Sequence, residues 1–353
     1  MRAAWTRRTF LSAASTSSLL FASRGQETAG EAKKFIDPAT EFEVLRLSAP
    51  GRSAWLPYPE NRVFTRKGDV MVFASDRDGA PQLYRHHFKQ NKLKALTGAA
   101  KLNVDSFTLT AADKTLLFFD GPRLMAGSLN GGKEREVFSV PTELGAKLRV
   151  ATSEEGAVIV IAGPRRVIWV SGKKASDVAE SAADISCLAV RPKRMEVSFV
   201  SGGRIRCVGL DSRNELPLQT AAGEILDAQW SADGASLFYL ARNGGLPELR
   251  ELNLEEKTDV LIARTSQFAH FQRNGDSSVF LGTSGSKPSP YLVLLLRSPA
   301  RELPVCEHRS SGARAVFSPN SARLAFQSDR DGKMAVFAMS VEKLVEETDG
   351  ESQ

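Results

Sequence analysis

Nine polar side chains recur in a register that would bring them together: Asn61, Ser106, Thr108, Lys147, Arg149, Asp227, Gln229, His270 and Arg314. Each stands one or three residues before one of seven spaced residues, Phe64, Leu109, Val150, Val190, Trp230, Phe271 and Phe317. Positions one and three before a common point share a face of a strand. If seven strands converge, these residues therefore line one opening, beside Val63, Cys187, Ala189, Phe268 and Val316. Lysine and arginine at such an opening suit carboxylates, which guanidinium groups grip bidentately. Asp227 and Gln229 could hold hydroxyls, and His270 titrates near neutrality, so it could move a proton. The competing reading of the same residues is a hydrated rim with no ligand.

Strands must carry these residues, and the sequence writes them clearly. Phe64 to Phe88 and Phe317 to Phe337 both read strand, tight turn, strand, Ser-Asp-Arg-Asp-Gly turn, strand. Short β-branched and aromatic runs between turn formers are too brief for helices. An apolar residue nine positions after each of the seven points (Phe73, Phe118, Ile159, Phe199, Tyr239, Phe280, Phe326) extends the pattern to the whole chain. The period of about 40 to 46 residues is that of four-stranded propeller blades. The fold class is all-β, a seven-bladed β-propeller over residues 41–346. The last unit is short, and Phe42 to Leu47 can supply its missing outer strand, closing the ring. Residues 24–40 and 347–353 read as loose ends.

The first 25 residues, with paired Arg7 and Arg8 ahead of an Ala- and Ser-rich apolar stretch, resemble a twin-arginine export signal. This implies a periplasmic or secreted protein. The net charge of +6 then falls to about +2, because Arg2, Arg7, Arg8 and Arg24 leave with the signal. That excludes a nucleic-acid footprint. No apolar run is long enough to span a bilayer. Cys187, Cys207 and Cys306 are odd in number and lack metal-binding spacing, so they read as buried thiols, with one disulfide as the alternative in an oxidising compartment.

Phe35-Ile36-Asp37-Pro38, Leu96-Thr97, the Ser-Asp-Arg-x-Gly turn and Ala269-His270-Phe271 with Asn274-Gly275-Asp276 resemble the oligogalacturonate lyase family across roughly residues 35–345. The Ser-Pro-Asp-Gly-like repeats are shared with TolB-type propellers. The resemblance implies a seven-bladed propeller that cleaves short pectin fragments by β-elimination, using a histidine base, an assisting arginine and Mn²⁺ held by three histidines and a glutamine. Residue by residue, His270 matches one metal ligand and Arg194 the assisting arginine. Arg309, Gly312 and Arg314 stand at the other metal positions, and Cys187 stands in place of the base. The resemblance thus implies a weak or absent Mn²⁺ site. Two functions stay open: a monomer that binds or cleaves acidic oligosaccharides, with Arg314, Lys147 and Arg149 replacing the metal's charge, or a non-catalytic, TolB-like carbohydrate- or protein-binding propeller of the cell envelope.

Other features carry less. His86-His87 read as solvated residues of an outer strand that point to opposite faces. Trp55, Pro57 and Tyr58 read as packing residues, with sugar stacking as the alternative. Gly285 to Lys287 lacks the frame of a phosphate loop, and no Gly-x-Ser-x-Gly element occurs.

Overall fold

The computed structural model describes residues 27–110, 112–265, 268–284, 290–310 and 312–345. The export-signal expectation, the Gly285 to Lys287 loop and the C-terminal tail fall outside these residues. Within them lie seven antiparallel sheets of three to five strands, and in each the first strand in sequence lies at one edge, apart from the outer strands borrowed from the N-terminal segment. Six apolar clusters sit between successive blades. Leu117, Phe119, Val150 and Ile161 join blades two and three, and Val160, Leu188, Val197 and Phe199 join three and four. Trp230 and Tyr239 join blade five to four, and Phe238, Phe271 and Phe280 join five to six. Phe326, Leu292 and Val279 join six to seven, and Phe64, Phe107 and Val336 close the circle through blades seven, one and two. Each fully buried large apolar side chain contributes about 2 to 3 kcal/mol, so the blades hold one another. The fold is the expected seven-bladed β-propeller.

The ring closes as the sequence implied. Glu43–Arg46 adds to the outer side of the last blade, with Phe337 opposite Arg46 and Ala338 opposite Leu45. Residues 27–40, expected to be loose, also contribute. Lys33–Ile36 pairs with Glu43–Arg46 as a fifth strand, and Glu27–Ala29 pairs with Lys92–Ala95 of blade one. Two further observations support this placement: Asp37 is fully buried and bonds Arg330, and Phe35 packs edge-on against Phe337.

The hairpin register corrects the sequence alignment in two blades. In five blades the aligned residue pairs with the one seven positions later: Phe64 with Met71, Leu109 with Leu116, Val190 with Val197, Trp230 with Leu237 and Phe317 with Leu324. In blades three and six the matching residues are Thr152, opposite Ile159, and Arg273, opposite Phe280, two positions beyond Val150 and Phe271. The turns agree. In six blades the backbone is left-handed four residues after the corrected point, at Gly68, Asp113, Gly156, Gly234, Ser277 and Ser321, and in blade four three residues after it, at Lys193. These points also end the inner strands, where the turn follows, and do not begin them. A slip of two preserves the face, so parity adds Gln272 to the channel-facing set, while Phe268 instead packs into the cluster of Phe238, Phe271 and Phe280.

His86 is a second correction. Strand Gln82–His87 is flanked by Val70–Ser75 on one side and by Lys92–Ala95 on the other, with Glu27–Ala29 beyond. His86 is therefore fully buried, edge-on to Phe88 at 5.1 Å, and neither imidazole nitrogen has a hydrogen-bond partner. His87 points to the other face, half-buried.

Candidate functional site: a plugged channel mouth

With the register corrected, one level of the channel carries Asn61, Ser106, Arg149, Cys187, Asp227, His270 and Arg314, one from each blade. What fills the channel is a segment between Trp55 and Phe64. Pro57 and Pro59 cannot donate to a ladder, so Leu56 to Asn61 leaves the inner edge of blade one and crosses the axis. The Tyr58 amide donates to the Asp105 carbonyl of blade two at 2.8 Å. The Pro59 carbonyl accepts from Gln272 of blade six. Glu60 accepts from Arg149 of blade three at 2.8 Å, and the Leu56 carbonyl accepts from Arg314 of blade seven at 2.9 Å. Four other blades thus hold this segment as a plug.

Its aromatic ring is gripped by cations. The Arg149 guanidinium lies 3.5 Å from the Tyr58 centroid and that of Arg314 lies 4.8 Å from it. Cation–π contacts of this kind are worth about 1 to 2 kcal/mol when desolvated. Arg314 is also ion-paired to Asp105 at 2.7 Å. Burial pushes the Glu60 carboxyl above the usual range, against the pull of Arg149, and the neighbouring Asp227 charge pushes the same way. Neither arginine is a free cation. Lys147 is exposed just before strand Arg149–Thr152, with no ion pair among the described residues.

Asp227 anchors the opposite wall. Its two oxygens accept from the Ala228 amide at 2.8 Å, the Phe271 amide at 3.0 Å and the Cys187 thiol at 3.2 Å. His270 Nδ1 stands 3.5 Å from the same carboxylate. That contact raises the His270 pKa, while burial opposes it. Burial, with Asp227 beside it, drives the Cys187 thiol well up, so it is no nucleophile. Cys187 sits left-handed at φ 51° in the bulge between Ser186 and Ala189, which turns its sulfur to Asp227.

Several expected ligand-binding groups turn out to brace blades. Gln229 accepts from the Arg273 amide at 2.9 Å, Ser106 from the Val150 amide at 3.0 Å and Thr108 from the Arg62 amide at 3.1 Å. Asp227 braces blade six in the same way. The structure brings Arg149, Asp227, His270 and Arg314 to one mouth, with Lys147 at its rim. Gln229 lies deeper, towards the ends of the inner strands. Arg194 lies elsewhere, exposed on a turn of blade four, lining a cleft of about 430 Å³ with Leu216, Pro217, Leu218 and Lys257. His308 is buried, its Nδ1 accepting from the Ser310 amide. Glu60, Asp105 and Gln272 were not singled out from sequence. The Pro-Tyr-Pro-Glu run was the available signal, since two prolines deny that stretch a place in an inner strand. The three cysteines are free and buried, and among the described residues no helix is long and apolar enough to cross a membrane.

No protein-family profile matches the sequence, and no curated protein is significantly similar to it. Solved structures share the fold. An oligogalacturonate lyase in complex with manganese superposes with a TM-score of 0.80 at 18% identity, over 90% of this chain and 98% of that one. An oligogalacturonate lyase from Vibrio parahaemolyticus gives 0.82 at 18% identity, over 92% and 100%. The β-propeller domain of Myceliophteria thermophila Cps50 gives 0.61 at 13% identity, over 82% and 99%.

Proposed function

We propose that the plugged mouth binds short acidic oligosaccharides, uronides of the pectin type, without a metal and without cleaving them. The observation that carries this reading is His270: half-exposed at the mouth and held towards its charged form by Asp227. A histidine biased in that direction is a better donor to a carboxylate than a base for the proton alpha to it. Lys147, exposed and without an ion pair among the described residues, adds a second cation at the rim. The likeness in fold to oligogalacturonate lyases supports the choice of uronide over neutral sugar, and export through the expected signal would place the protein outside the cytoplasm, where such fragments occur.

A resident manganese ion does not fit the residues present. Among the described residues no three of His, Cys, Asp and Glu are grouped to share a metal. Both Asp227 oxygens are taken by backbone N–H and S–H donors, and the Arg314 guanidinium sets a positive charge beside His270, which repels a hard cation. No step is therefore routed through a metal.

Calorimetry with digalacturonate in the presence of a chelator should show saturable binding, weakened about tenfold in His270→Ala, the worth of one charge-assisted contact. Absorbance of an unsaturated uronide should not rise. Product formation that depends on added Mn²⁺, or no binding under either condition, would end this reading.

A further inference from the structure

The channel has a second chamber beyond the plug, away from His270. Its volume is about 600 Å³, within the range of small-molecule sites. Pro59 and Glu60 form its floor, and the turns at the ends of the inner strands form its rim, including Ala232, Gly275 and Pro319. Val63, Val190, Val316 and Phe317 give it an apolar wall.

One lining residue breaks the propeller's own pattern. At the register position where six blades carry Phe64, Leu109, Thr152, Val190, Trp230 and Phe317, blade six carries Arg273. Its guanidinium donates to three carbonyls only: Trp230 from Nε, and Asn274 and Gly275 from Nη1. Among the described residues no carboxylate pairs with it; Asp233 and Asp276 act on it only through space, and burial lowers its pKa. The other two arginines of the chamber are already matched, Arg62 by Asp113 and Arg66 by Glu154. A half-buried guanidinium held by carbonyls, with Asp233 and Asp276 acting only through space, keeps a charge that no direct contact neutralises, and an incoming anion would supply that contact. The carbonyls fix the group in place, so an incoming carboxylate meets a preorganised donor edge beside an apolar wall.

We propose that this chamber is a binding site for a small organic carboxylate, its anion on the free edge of Arg273 and its apolar part against Val63, Val190 and Phe317. The proposal is independent of uronide binding, which uses the other mouth.

Benzoate is the probe, with benzyl alcohol as its uncharged counterpart, titrated calorimetrically into the full chain. Benzoate should bind saturably at one site per chain and benzyl alcohol about tenfold or more weakly, the scale of a lost charge-assisted pair. Arg273→Gln should weaken benzoate to the level of the alcohol. Ala232→Trp, a change at an exposed rim residue, should obstruct entry and lower affinity for both, and it carries the test if the arginine variant fails to fold. His270→Ala should leave benzoate binding unchanged. Equal affinity for the two probes, no saturable benzoate binding, or benzoate affinity unmoved by Arg273→Gln in a folded protein would each overturn the proposal.

Discussion

Asp227→Ala is expected to lose about 3 kcal/mol of stability, the usual cost of leaving buried partners of a hydrogen-bonded charge unsatisfied. The carboxylate ties blade five to blade six through the Phe271 amide and to blade four through the Cys187 thiol. Its removal orphans a buried N–H in an inner strand and cuts a link between neighbouring blades. His270 loses the contact that raises its pKa, and burial, which acts the other way, then takes over. The His270 imidazole should consequently titrate lower in the variant than in the wild type, where it is raised. Denaturant unfolding measures the first effect and the NMR titration of the His270 ring the second. The two readouts separate the roles: a merely local electrostatic partner would move the ring without moving the midpoint. Retention of full stability would remove Asp227 from the bracing of the ring.

That double role explains why the fold was legible in the sequence and the site only partly so. Turn chemistry is local. In six blades the left-handed residue four positions after the inner-strand end is Gly68, Gly156, Gly234, Asp113, Ser277 or Ser321, and in blade four it is Lys193, three positions after. Blade count follows from that punctuation, and so does the hairpin register in five of the seven blades. Parity along a strand says which residues face the axis, and it survived even a two-residue slip in blades three and six. It does not say whether a side chain reaches inward to a ligand or sideways to the next blade's backbone. Gln229, Ser106 and Thr108 turn sideways, as does Asp227, and no single-strand pattern distinguishes the two directions. The plug was hidden for a different reason. Its partners, Asp105, Arg149, Gln272 and Arg314, come from four other blades, so its meaning exists only once the ring is closed. Its consequence for function is direct: the arginines expected to replace a metal's charge are instead engaged by Glu60, Asp105 and the Tyr58 ring.

Acid should destabilise the protein from about pH 6.5 downward, and His86 should account for about 3 kcal/mol of the loss. Burial lowers its pKa from 6.5 to about 4, with His87 adding a little in the same direction. The unfolded chain therefore takes up a proton at His86 as pH falls below about 6.5, while the native protein refuses it until about 4. Stability linked to this group is complete above the upper value and is lost progressively down to the lower one, at about 1.4 kcal/mol for each unit between them. Asp37, Asp69 and Asp276, whose carboxyls lie below the usual range, lose their contributions only at still lower pH, so the windows separate. Buried His308 is shifted in the same direction as His86 and leaves a residual slope. His86→Phe should flatten the pH dependence of the unfolding free energy between pH 6.5 and 4 by the His86 share, about 3 kcal/mol. At pH 7 the variant should be at least as stable as the wild type, because it removes two buried nitrogens that have no partner and can keep the edge contact with Phe88. Unfolding curves across this range test both statements. An unchanged slope in the variant would mean that His86 is hydrated or paired in solution, and that blade one is less tightly closed around it than its five strands imply.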